Sequence, residues 1–230
     1  MDTKIKIVYL EGNLGVGKST LLDNLKRELE SDRVYSNIIN FIFLQEPVDL
    51  WRKSGGLELL YNKKIKSSLF QMMVLATRST SLFSITSQLK RNKWNIIITE
   101  RSLKFGDRAF SNLYISDQNE LNLYNNCAHA IGESFDDTLK TLDPNFGEVY
   151  IYLNLDTDEC LTRINTRKRP EEHNLSLHLL NNIEDSHKKL MNTIHPLVHI
   201  NANRNQAEIV DDICNTVIKE SLAHFESNCE

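Results

Sequence analysis

The chain is poor in the residues that make hinges and staples. Its 230 residues include only 8 glycines and 4 prolines, and no stretch gathers them into a flexible linker. A single domain over residues 1–230 is therefore the expectation. Cysteine is equally sparse. Cys127, Cys160, Cys214 and Cys229 make no C-x-x-C pair and no His/Cys metal spacing, so they read as separate thiols in a reducing compartment. The seven histidines are scattered, and none is assigned a role. No apolar run approaches the roughly 18 residues that suggest a membrane span. "MDTKIKIVYL" enters a strand-like segment with no leader pattern before it. A cytoplasmic protein without a membrane partner is expected. Excess positive charge is also missing. Lys and Arg total 27 against 31 Asp and Glu, a net charge of −4, which argues against a general nucleic-acid binder. Small anionic ligands remain open if cations are gathered locally.

What is present alternates. Apolar runs at 5–11, 38–45, 95–99, 149–155 and 197–200 are separated by segments of helical period. That alternation predicts an α/β protein with five parallel strands flanked by helices. The stretch 68–91 reads as one long helix, with apolar residues on more than one face over 81–89, which suits either a core or an interface.

Between the first strand and the first helix lies "GNLGVGKS", which fits G-x-x-x-x-G-K-[ST] in the setting that motif requires. Its glycines (Gly12, Gly15 and Gly17) let the backbone curl so that amides point at phosphate oxygens. Asn13, Leu14 and Val16 complete the loop, and Thr20 follows it. Lys18 can meet the β- and γ-phosphates, and Ser19 can ligate Mg²⁺. The motif implies a P-loop NTPase fold that binds a nucleoside triphosphate. "QEPVDLW" follows the second strand, so Glu46 falls on the same sheet edge. Pro47 restricts Glu46 to extended geometry. A carboxylate aimed at the γ-phosphate region suits a neutral hydroxyl whose proton must leave. "NIIITERS" repeats the arrangement on the third strand. Glu100 is placed to hold Mg²⁺, partly through water, and Arg101 to reach the transferring group.

Further along, "RINTRKRPEE" packs Arg163, Arg167, Lys168 and Arg169 into seven positions. Such a run is usually a solvated helix end. Arg163 and Arg167, however, are one helical turn apart and can face one ligand, and Pro170 ends the helix. On the long helix, Gln71, Val74, Leu75 and Arg78 form one stripe. A Gln there can donate to and accept from a base edge.

"EGNLGVGKST", "EPVDLW", the Phe70-Gln71 pair, "ERS" and "RINTRKRPEE" occur in this order, and together they resemble the deoxynucleoside kinase family from residue 5 to about residue 200. The resemblance implies ATP-Mg²⁺-dependent phosphorylation of a deoxynucleoside 5′-hydroxyl by a homodimer. It makes about 163–173 an Arg-rich lid, with Arg163, Arg167 and Arg169 on phosphates. Glu172 and Tyr61 would hold the sugar 3′-hydroxyl. Gln71 would read the base, Phe110 would stack on it and Trp51 would line the pocket, although either aromatic alone would serve as a core residue. Arg78 stands where relatives using cytosine or purines carry Arg, which implies that those bases are favoured over thymine. The carboxylate that pairs with this Arg falls on Gly106 if the motifs are aligned without a gap, and on Asp107 after a one-residue shift. The shift is favoured, because an unpaired buried Arg is costly. Two rivals stay open. A nucleoside monophosphate kinase of thymidylate-kinase type would need a cationic clamp where Glu46 stands, and a non-catalytic nucleotide switch would be expected to have lost a catalytic group.

Overall fold

A computed structural model describes residues 3–31 and 33–227; Cys229 lies outside them. The strands are β1 (Lys4–Gly12), β2 (Ile39–Leu44), β3 (Trp94–Glu100), β4 (Gly147–Asn154) and β5 (Leu197–Asn201). All pair in parallel, in the order β2-β3-β1-β4-β5. The helices are α1 (Lys18–Ser31), α2 (Arg33–Ile38), α3 (Val48–Lys53), α4 (Gly56–Tyr61), α5 (Ser67–Phe83), α6 (Gly106–Tyr114), α7 (Gln118–Leu142), α8 (Thr157–Arg167), α9 (Leu177–Met191) and α10 (Gln206–Ser227). None of the described helices is long and apolar enough to cross a membrane.

The central strand shows why the sheet is buried on both faces. In β1, Val8 and Leu10 face a core shared with Leu21, Leu22 and Leu25 of α1, Ile164 of α8, Leu180 of α9 and Ile213 of α10. Ile5, Ile7 and Tyr9 face the opposite core, with Leu75 of α5, Ala109 of α6 and Leu139 of α7. The period-2 alternation of one strand thus supplies both cores, and near-continuous apolar strands are what such a sheet requires. A smaller cluster of Trp51, Leu57, Leu60, Phe70 and Val74 gathers α3, α4 and the start of α5.

The stretch 68–91 is not one helix. α5 stops at Phe83 and a 3₁₀ turn covers Ser84–Gln88. Hydroxyls compete for backbone carbonyls here: Ser84 Oγ donates to Ser81 O, Thr86 Oγ1 to Phe83 O and Ser87 Oγ to Ser84 O. Leu82 and Ile85 are core residues of this chain rather than an exposed face.

Candidate active site

β1, β2 and β3 end side by side, and their carboxyl ends carry the phosphate loop, Glu46 and the Glu100-Arg101-Ser102 turn. Together with α3, α4, α5, α6 and the segment after α8 they enclose a cavity of about 360 Å³. Its wall holds four cations, Lys18, Arg101, Arg167 and Arg169, against four acids, Glu46, Glu100, Asp107 and Glu172. Trp51, Tyr61, Gln71, Val74 and Phe110 line it as well.

The phosphate loop is shaped by close approach. Gly15 has φ +78, and a Cβ there would lie 2.5 Å from the Cys160 carbonyl oxygen; a side chain would force the loop off α8. Leu14, Gly15, Gly17, Lys18, Ser19 and Thr20 face the cavity. The side chains of Asn13 and Val16 point inward instead. Asn13 Nδ2 donates to Leu180 O at 2.9 Å, and Val16 joins the core, so these two can offer phosphates only backbone groups. Lys18 Nζ donates to Gly12 O at 3.1 Å and Asn13 O at 2.8 Å. Burial and the neighbouring Arg101 press the Lys18 pKa down to about 7, against the pull of Glu46 and Glu100.

Glu46 is held by two guanidinium groups at one oxygen. Its Oε1 lies 3.1 Å from Arg101 Nε and 3.3 Å from Arg78 Nη1, which leaves Oε2 for a ligand. Burial raises the Glu46 pKa, but Arg101, Arg78 and Lys18 outweigh it and the net shift is downward. Glu46 is therefore ionised at neutral pH. Glu100 goes the other way, raised by burial and by the charge on Glu46. Its Oε2 accepts from Ser19 Oγ at 3.2 Å. This pair of hard oxygen donors fits Mg²⁺, an ion usually held by one or two carboxylates plus substrate phosphates. Among the described residues there is no cluster of three metal-ligating His, Cys, Asp or Glu side chains.

Arg78 differs from the expectation of a base-reading side chain. It is buried and absent from the cavity wall. Nη2 donates to Glu100 O at 3.1 Å and Arg101 O at 2.8 Å, and Nε lies 2.8 Å from Asp107 Oδ2. The fork is consumed by the protein, and the group that reaches the wall is Asp107. Gly106 is too crowded for a side chain: a Cβ there would lie 2.5 Å from Glu11 Oε2. Burial raises the Asp107 pKa to about 6 despite Arg78. Phe110 lines the cavity with the Arg101 guanidinium over its ring, 4.5 Å from the centroid. Trp51 Nε1 donates to Thr77 Oγ1 at 2.9 Å, which fixes the indole beside Gln71 and Val74 on the wall.

The cations of the 163–169 run divide. Arg163 does not face the cavity with Arg167. Its Nη1 donates to Val16 O at 3.2 Å and its Nη2 to Ala202 O at 3.4 Å, bracing the phosphate loop from behind. Helical spacing aligned the two α-carbons, but the Arg163 guanidinium is taken up by those carbonyls and by Glu159, whose Oε1 accepts from Nε at 3.2 Å. α8 ends where Lys168 turns left-handed at φ 53, two residues before Pro170. Arg167 forks onto Glu172, Nε to Oε2 at 2.7 Å and Nη2 to Oε1 at 2.6 Å, and Arg169 Nη1 lies 3.5 Å from Oε1. The groups expected to hold phosphate and sugar hold each other.

Two buried groups were missed in the sequence. Glu11 accepts from Ser102, and burial raises its pKa to about 7. His187 packs on Phe105, Phe110 and Tyr152 behind the cavity, where burial lowers its pKa to about 2 and keeps it neutral. Glu11 had a signal, an acid at the end of an apolar strand; His187 had none.

Known proteins resemble this chain in sequence and in fold. A sequence model described as deoxynucleoside kinase matches residues 8–223. The chain is 31% identical over 219 residues to a probable deoxycytidine kinase of fowlpox virus, covering 90% of this chain and 82% of the relative. It is 29% identical over 211 residues to mouse deoxycytidine kinase, covering 81% and 75%. The solved structure of a deoxyadenosine kinase from M. mycoides, with dCMP and dCDP bound, superposes with a TM-score of 0.64 over 93% of this chain and 99% of that one, at 21% identity.

Proposed function

The chain belongs to the deoxynucleoside kinase family and phosphorylates deoxynucleosides with ATP; from that premise we propose how its residues divide the work and which base it takes. The observation that carries the reading is Glu46, ionised, on the wall shared with Lys18 and Arg101. Glu46 Oε2 accepts the 5′-hydroxyl proton. Its pKa makes it a weak base, which suffices in a loose transition state with little bond formation to the nucleophile. Arg101 and Lys18 stabilise the transferring phosphoryl group. Ser19 and Glu100 would hold Mg²⁺, partly through water, and the ion would supply charge neutralisation at the phosphates. The balance of four cations and four acids suits an anionic donor beside a neutral acceptor. A monophosphate acceptor would need further cations where Glu46 and Asp107 stand.

The lid, about 163–173, works through Arg167 and Arg169 once the donor draws them from Glu172, which then takes the 3′-hydroxyl beside Tyr61. Gln71 and Asp107 face the base. A carboxylate accepts from an exocyclic amino group and repels a carbonyl oxygen, so deoxycytidine or deoxyadenosine is preferred over thymidine. The chain acts as one domain and as a homodimer, for which exposed Leu69, Met72 and Leu123 on α5 and α7 supply apolar surface. Free Cys127, Cys160 and Cys214 suit the cytoplasm. A coupled ADP-release assay across the four deoxynucleosides tests the base assignment. Thymidine emerging with the highest kcat/KM would overturn it and leave the kinase activity standing.

A further inference from the structure

Glu11 is a buried acid with no task in the division of work above. Glu11, the residue before the phosphate loop, is fully buried and absent from the cavity wall. Its Oε1 accepts two hydrogen bonds from one residue, Ser102 N–H and Ser102 Oγ, both at 2.7 Å. Ser102 Oγ in turn accepts from Phe105 N–H at 2.9 Å, so the carboxylate is tied through one hydroxyl to the start of α6. The turn fixed in this way carries Arg101, whose φ of 57 is a conformation disfavoured for a residue with a Cβ. Arg101 N–H donates to Leu10 O at 2.9 Å, and its Nη1 donates to Gly12 O at 3.0 Å. Three consecutive residues at the end of β1 therefore grip two consecutive residues at the end of β3. Gly106 closes the arrangement, since a Cβ there would stand 2.5 Å from Glu11 Oε2 and 2.8 Å from Arg101 Cβ.

We propose that Glu11 is a positioning residue for phosphoryl transfer: by holding Ser102 it keeps the turn after β3 in the conformation from which the Arg101 guanidinium reaches the reacting groups. Glu11 touches neither substrate and acts through Arg101, so the proposal rests on the role assigned to Arg101 above. Misplacing a charge-stabilising group by about 1 Å is enough to cost turnover while leaving ground-state binding alone.

The test is a double-variant cycle of Glu11→Ala and Arg101→Ala at saturating ATP, with Glu11→Gln as the conservative partner. Glu11→Ala is expected to lower kcat at least tenfold while the deoxynucleoside KM moves less than threefold. Glu11→Gln keeps an amide oxygen for Ser102 and should stay within threefold of wild-type turnover. In the Arg101→Ala background, removing Glu11 should change kcat less than twofold. If Glu11→Ala does not fold, Ser102→Ala removes one of the two donors and should give a smaller loss of the same kind, in kcat and not in KM. Full turnover in Glu11→Ala, or effects that simply multiply in the double variant, would overturn the proposal. Wild-type turnover in Arg101→Ala alone would instead locate the failure in the role given to Arg101.

Discussion

Replacing Glu46 by Gln and, separately, by Asp divides its two duties. The carboxylate is the proposed base, and it is also the counter-charge for Arg101 and Arg78 at 3.1 and 3.3 Å. Gln removes both. Loss of general-base catalysis should lower kcat about 10²–10⁴-fold, or about 2.7–5.5 kcal/mol of barrier. Stranding a fully buried charge costs about 3–5 kcal/mol of stability. Here the cost should be smaller, about 1–2 kcal/mol, because the Glu46 side chain is 14% exposed and Arg78 keeps Asp107 and two carbonyls. At about 2–4 °C per kcal/mol for a chain of this size, Tm should fall by about 2–8 °C. Asp keeps the charge but withdraws it by about one bond length, so Tm should stay near wild type while kcat still falls about 10²-fold. Single-turnover quench measurements of deoxynucleoside monophosphate, with a known amount of enzyme and saturating ATP, isolate the chemical step from product release. Calorimetric titration reports deoxynucleoside affinity, expected to change only a few-fold. A Gln variant that turns over at the wild-type rate would refute the assignment of the base, whatever its Tm.

The proposed lid makes a prediction of its own. If Arg167 and Arg169 meet phosphate after leaving Glu172, Arg167→Ala and Arg169→Ala should each lower kcat more than they weaken deoxynucleoside binding; Glu172→Ala should instead raise the deoxynucleoside KM. Full turnover in both arginine variants at saturating ATP would return the run to a solvated helix end. For the base, Arg78→Met alone strands the buried Asp107, while Glu46 keeps Arg101, and melting curves should show a loss of about 3–5 kcal/mol. The paired change Arg78→Met, Asp107→Ala should restore part of that loss and raise thymidine relative to deoxycytidine in competition assays. Ionised Asp107 is the stronger acceptor for an amino group, and its pKa is raised to about 6. The kcat/KM for deoxycytidine should therefore be full above pH 7 and decline as pH falls through 6, a limb that Asp107→Asn removes. Burial and Arg101 press the Lys18 pKa down to about 7, and polyphosphate favours its charged form. ATP binding at pH 8 should therefore take up close to one proton, visible as a dependence of the calorimetric enthalpy on buffer ionisation; no dependence would count against a depressed Lys18.

The strands, the phosphate loop and the acids at the ends of β2 and β3 were legible because each is a local pattern. A run such as Ile96-Ile97-Ile98 is buried on both faces wherever the strand falls in the sheet, and a G-x-x-x-x-G-K-S loop carries its own geometry in its glycines. α9 was legible to its ends, helped by Ser176, whose Oγ accepts from Leu179 N–H. The end of α5 was not, since hydroxyl-to-carbonyl bonds broke a helical period that continued on paper. Direction of side chains was decided only in three dimensions. Arg163 and Arg167 share a helical face in sequence, yet one finds the Val16 and Ala202 carbonyls and the other finds Glu172. Arg78 lies on the pocket stripe, but its fork is taken up by Asp107, Glu46 and the Glu100 and Arg101 carbonyls before it can reach the cavity. Whether Gly106 or Asp107 would meet Arg78 turned on Glu11, 95 positions earlier, whose carboxylate fills the space a side chain at 106 would need. Periodicity and motif spacing report the backbone within a few residues, whereas a long polar side chain goes to the nearest unsatisfied partner, and which partner is nearest is set by strand order and helix packing.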